Sequence, residues 1–256
     1  FLASPAQVDF VRGELDRVRR ALEDLAGRPI DDAALAAGIE KANAVRHVLA
    51  DLRHAVFTAE RCPMPALEML IAEMLAIHFC SDRDESLAVL NDLLEEVRKR
   101  IEAGAGYLSP DAVRVFWVNP VADLRAMNLL EQCGGRVCGT DYLFAHALDP
   151  IPDNLPSLEA LARMALADPM VGLAADRATR ICRDAHAFGA EALVVSRIPG
   201  ASHCGTEGEI IREIVSERLS LPAIEIEVPP ISDPMQSTLR SRLEALIETA
   251  RERRHA

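Results

Sequence analysis

Four short runs of β-branched and aromatic residues, separated by stretches with helical spacing, constrain this chain more than any other feature. Val113-Arg114-Val115-Phe116-Trp117-Val118 reads as a strand. Asn119-Pro120 ends it, and Val121, Leu124, Met127, Leu129 and Leu130 predict a helix that closes at Gly134-Gly135. Arg136-Val137-Cys138 reads as a short second strand. Leu158, Leu161, Met164 and Leu166 mark another helix, and Asp176 can cap one that ends at Gly189. A strand over 191–196, a helix from Thr206 and a strand over 223–228 follow. After Asp233-Pro234, Leu239, Leu243, Leu246 and Ala250 form one stripe on a last helix. Strands that alternate with helices predict an α/β fold: a parallel, doubly wound sheet of the Rossmann or flavodoxin type, with helices on both faces.

Residues 5–103 carry helical spacing only. Phe10, Val11, Leu15, Val18, Leu22 and Leu25 keep it up to Gly27, and Asp31 or Asp32 can cap the next helix. Cys62-Pro63-Met64-Pro65 is a break, and Ser81 with Asp84 suggests the start of a fourth helix. The expected division is therefore a helical connecting segment over 1–106 and an α/β sheet domain over 107–256. The chain begins at Phe1 and enters a helix almost at once, which reads as the C-terminal portion of a longer protein.

One crossover stands out for chemistry. The apolar run Leu193-Val194-Val195 leads into Ser196–Glu209, and Ile210, Ile211, Ile214, Val215 and Leu219 follow at helical spacing. Thr206 and Glu209 are spaced as a capping box, so the helix is expected to start at Thr206. Cys204 then sits after a strand and before a helix N-terminus, where open α/β sheets bind ligands and the dipole favours a thiolate. Gly200, Gly205 and Gly208 clear side chains from around it. Such a thiol suits a soft metal centre or a nucleophile; a buried cysteine in a tight loop is the plain alternative. Cys138, followed by Gly139-Thr140-Asp141-Tyr142, would reach the same sheet edge. Cys133 and Cys138 form only a C-x4-C, and Cys62, Cys80 and Cys182 are explained by packing. No partner can be identified for His146 or His186, so a Cys/His hydrolase remains an open reading.

The chain carries a net charge of -12, which disfavours nucleic acid or a membrane surface. No apolar stretch has the length of a membrane span, and the start, Phe1-Leu2-Ala3-Ser4-Pro5, lacks the basic n-region expected of a secretory signal. Six cysteines without regular spacing predict reduced thiols, no disulfide and a cytoplasmic setting. There is no G-x-G-x-x-G after the first strand, no Walker sequence and no G-x-S-x-G elbow.

Taken in order, Leu25–Asp31, Ile39–Arg46, the strand at 113–118, Val137-Cys138-Gly139-Thr140-Asp141-Tyr142, Ser202-His203-Cys204 and Leu239–Glu248 resemble segments of the 2-hydroxyacyl-CoA dehydratase and benzoyl-CoA reductase subunit family. The resemblance runs over essentially the whole chain. It implies a [4Fe-4S] cluster held by cysteines from two sheet domains, with Cys204 as the last ligand and the others in an N-terminal domain this chain does not contain. One cysteine cannot hold such a cluster, so the fragment alone should be inactive. Cys138, Gly139, Thr140, Ser202, His203 and Gly205 would line the substrate or cluster pocket; no residue is assigned a catalytic role. The resemblance further implies an acyl-CoA thioester substrate, a homologous partner subunit and a separate ATP-dependent activator. That activator would feed in one electron to make a ketyl radical from the thioester carbonyl, after which water is lost or a ring is reduced. A scaffold or thioester-binding subunit without a cluster, and an enzyme with Cys204 as nucleophile, are the competing readings.

Overall fold

The computed structural model describes residues 3–78, 82–121, 123–142, 148–200, 206–228 and 233–255. Four helices come first: α1 (Pro5–Ala26), α2 (Asp32–Thr58), α3 (Ala66–His78) and α4 (Arg83–Glu102). The remainder alternates: β1 (Val113–Val118), α5 (Arg125–Gln132), β2 (Gly135–Asp141), α6 (Ser157–Leu166), α7 (Ala174–Ala187), β3 (Ala192–Arg197), α8 (Gly208–Leu219), β4 (Ala223–Glu227) and α9 (Asp233–His255). The sheet is parallel throughout, in the order β2-β1-β3-β4.

Local chemistry sets the helix ends. Ser4 and Gln7 close a reciprocal capping box on α1, with Pro5 in the first turn, and Gly27 ends the helix at φ 65°. Asp31, not Asp32, caps α2 by accepting from the Ala34 amide at 2.8 Å. Asp82 caps α4, accepting from the Glu85 amide at 3.0 Å, one residue beyond the Ser81 and Asp84 pair suggested by the sequence.

Alternate side chains of the strands face opposite layers. Val113, Val115, Trp117, Ala192, Val194 and Ile226 share one core with α2 to α5 and α9, including Leu49, Leu52, Leu90, Leu130 and Leu243. Phe116, Val118, Leu193 and Val195 face Ala178, Ile181 and Ala185 of α7 and Ile211 and Val215 of α8. Burial on both faces is why these strands read as nearly continuous apolar runs. Each fully buried large apolar side chain contributes about 1.5–3 kcal/mol. The helical half and the sheet thus share one core. Two strand arginines strengthen the join: Arg136 donates to the carbonyls of Val56, Ala59 and Glu60 at 3.0–3.1 Å, and Arg114 to those of Phe57 and Ala59. These carbonyls end α2, where the helix dipole places partial negative charge.

Two sequence expectations need correction. β2 does not stop at Cys138 but continues to Asp141. Gly139 keeps it going: a Cβ there would lie 2.6 Å from the Phe116 ring, so the missing side chain is space the core uses. The register shifts between Val115 and Phe116, leaving Cys138 as the extra residue of a bulge. The helix after β3 begins at Gly208, not Thr206; Thr206 is exposed, and no side chain caps the helix at Glu207.

Candidate functional site at the sheet switch point

From β1 the chain adds β2 on one side and then β3 on the other. The crevice beyond the C-terminal ends of β1 and β3 is therefore the topological switch point, where sheets of this kind take their ligands. Asn119 follows β1 in the left-handed region, at φ 68°, which a short polar side chain tolerates better than most. Its amide nitrogen Nδ2 donates to the Ser196 carbonyl at 3.0 Å. The Ser196 hydroxyl accepts from Trp117 Nε1 at 3.1 Å and sits 2.8–3.1 Å from the carbonyls of Val118, Asn119 and Pro120.

Arg177 is the centre of this group. It lies on α7 and is 1% exposed. Nε donates to Asp141 at 2.9 Å, Nη2 to Asn119 Oδ1 at 2.7 Å and Nη1 to Glu207 at 3.1 Å. One guanidinium thus gathers the ends of β1 and β2 and the entrance of α8. Burial pushes the Asp141 carboxyl above its usual range, and Arg177 opposes that.

A second polar group lies deeper, against β2. Glu73 of α3 is fully buried and is paired with Arg53 of α2; Arg53 also donates to Thr140 Oγ1 at 3.1 Å and to its carbonyl at 3.2 Å. The second Glu73 oxygen, Oε2, has no hydrogen-bond partner. Burial raises the pKa of Glu73, with Arg53 opposing. A cavity of about 270 Å³, lined by Arg53, Thr140, Asp141, Asp149 and Arg180 among others, opens beside this group.

The candidate residues divide. Ser202, His203, Cys204 and Gly205 lie outside the described residues. Thr140 is placed between the two polar groups. Cys138 is wholly buried in β2, with Arg114, Arg136 and Glu191 as its charged surroundings; all three lie at the N-terminal side of the sheet. Burial pushes its thiol up to about 12. Gly139 packs on Phe116 and Phe188, and Gly208 against the Glu225 carboxylate and Val195. Arg177, Asp141, Asn119 and Glu207 escaped the sequence reading. The signal for Arg177 was a charge four residues before Ile181 and eight before Ala185, on the apolar stripe of α7.

The four described thiols, Cys62, Cys133, Cys138 and Cys182, are free, and none joins the switch-point group. Among the described residues no three His, Cys, Asp or Glu side chains come together to hold a metal ion. The described residues therefore do not by themselves fit an iron–sulfur cluster; ligands for one would have to come from outside them. No helix among them is long and apolar enough to cross a membrane.

Comparison with known families decides the kinship. The family model for the 2-hydroxyglutaryl-CoA dehydratase D-component matches residues 2–250. The chain belongs to this family. It is the kinship that the ordered segments of the sequence carry, and it makes the chain a subunit of the 2-hydroxyacyl-CoA dehydratase type. A search of curated proteins brought no match. In this dehydratase subunit the switch-point group stands on either side of the Cys204 segment in sequence, with Ser196 before it and Glu207 after it.

Proposed function

We propose that this chain is the cluster-bearing part of an iron–sulfur subunit in an acyl-CoA-processing enzyme. The activity is ATP-activated radical dehydration of a 2-hydroxyacyl-CoA or, as the alternative in the same class, ring reduction of the benzoyl-CoA type. The observation that carries the reading is the family match over residues 2–250, joined to the position of Cys204 between two elements that end at the switch point. Cys204 is the [4Fe-4S] ligand from this chain. The remaining thiolates come from outside this chain, as the family resemblance implies; none of the four described cysteines joins the switch-point group. When bound, the cluster supplies low-potential one-electron chemistry. The residues of the chain hold the edge of the sheet rigid and keep water from it: Arg177, Asn119 and Ser196 are buried and mutually bonded. Ser202, His203 and Gly205 flank the ligand in sequence, and Thr140, near the end of β2, is assigned with them to the pocket wall. The partners are a homologous cluster-bearing subunit and a separate ATP-dependent activator, in the cytoplasm.

The test is Cys204→Ser in the complete subunit, reconstituted without oxygen. The variant should lose iron and the broad visible absorption, while Cys182→Ser keeps both. Full iron content in Cys204→Ser would remove the ligand assignment. If Cys204 is instead a nucleophile, iodoacetamide should block an iron-free wild type in air.

A further inference from the structure

We infer that Arg177 is a positioning residue that pins both ends of the connection between β3 and α8. The starting end is held through Asn119, which accepts from Arg177 Nη2 at 2.7 Å and donates to the Ser196 carbonyl at 3.0 Å. The far end is held directly, because Nη1 of the same guanidinium donates to Glu207 at 3.1 Å. Its third arm, Nε on Asp141 at 2.9 Å, fixes the plane of the group against the end of β2. A guanidinium is flat and rigid, so three acceptors bound to it are also fixed relative to one another. A lysine at 177 is a point charge on a flexible stem and cannot hold all three in that geometry.

At the starting end β3 is also held by β4, whose Val228 amide donates to the Arg197 carbonyl at 2.8 Å, and at the far end Gly208 packs on Val195 and the Glu225 carboxylate; Arg177 is the side chain that reaches both ends. Glu207, the residue before α8, makes no side-chain cap to the helix. The Ser196 hydroxyl is engaged with Trp117 and the carbonyls after β1, so it fixes β3 to β1 but reaches nothing on α8. Arg177 itself is buried, and its pairing escapes the solvent screening that makes exposed ion pairs weak. The connection between the two pinned ends is the one that carries Cys204. For that thiol the inference rests on the reading given above; for the two ends it stands on the hydrogen bonds alone.

The experiment uses the full chain without iron. Glu207, with a side chain 24% exposed, can be replaced without opening the core. In Glu207→Ala, hydrogen exchange at the amides of 206–211 should accelerate about tenfold or more, while β1 and β2 keep wild-type protection. Glu207→Gln keeps an acceptor for Nη1 and should recover most of the protection. In an Arg177→Lys background, Glu207→Ala should add little, since the clamp is already lost. Unchanged exchange in Glu207→Ala overturns the inference. So does an equal effect of Glu207→Ala in the Arg177→Lys background. If Arg177→Lys does not fold, the Ala and Gln variants at 207 decide alone. Loss of the iron reading is seen separately, as iron retained by Cys204→Ser whatever the exchange rates are.

Discussion

Replacing Gly139 by alanine separates a pocket wall from a packed core. An added Cβ would lie 2.6 Å from both Cδ2 and Cε2 of Phe116 and 2.9 Å from Cδ2 of Phe188. Carbon atoms attract best at about 3.5–4.0 Å, so all three contacts are deep in repulsion. Neither ring can withdraw cheaply. Phe116 is fully buried between β1 and the α7 and α8 layer. Phe188 is set edge-on against Phe57, with centroids 5.4 Å apart. Overpacking of this kind costs about 1–3 kcal/mol. The shorter range of unfolded conformations open to alanine returns about 0.4–1 kcal/mol, leaving a net loss of roughly 1–2 kcal/mol. For a chain of this size that is a fall in Tm of about 2–8 °C. Thermal unfolding followed by far-ultraviolet circular dichroism reads it directly. Gly38→Ala in α2 is the control: its Cβ meets nothing within 4 Å, and the change should stabilise by up to about 1 kcal/mol. A Gly139→Ala protein as stable as the wild type would refute the reasoning. It would mean that the space beside Gly139 is open, as a ligand-lining role requires.

Glu73 titrates above the usual carboxylate range because it is buried, so the folded state holds its proton more tightly than the unfolded chain does. Its contribution to stability is fully present below the unfolded pKa and is lost as pH rises through the folded one. Glu73→Gln cannot ionise and should flatten that part of the profile; urea midpoints measured from about pH 4 to about pH 8 that run parallel in the two proteins would count against it. Cys138, with its thiol up to about 12 and no exposure, should resist iodoacetamide in the native chain, while the half-buried Cys133 reacts first among the four described thiols. Peptide mass spectrometry that finds Cys138 labelled early would contradict its placement in β2. After denaturation without reductant, all six cysteines should take label; a missing pair would show a disulfide.

How much was legible follows from how local each signal is. The β1, β3 and β4 runs and the stripes of α7, α8 and α9 follow from periodicity, because a residue's face is set by its place in the element. The parallel sheet then follows from the alternation, since parallel neighbours need crossovers. The kinship was legible in the same way, from the order of segments such as Val137–Tyr142. What a sequence does not display is which distant residue fills a space. Gly139 and Gly208 read as room for a ligand, but the rings of Phe116 and Phe188 and the carboxylate of Glu225 occupy it. Thr206 and Glu209 had the spacing of a capping box, yet α8 begins at Gly208, its entrance held by a guanidinium from α7. Arg177, Asp141, Asn119 and Glu207 are far apart in the chain and became one group only when β1, β2, α7 and α8 were packed. A buried charge finds its partner through tertiary packing, and only the folded chain decides which partner that is.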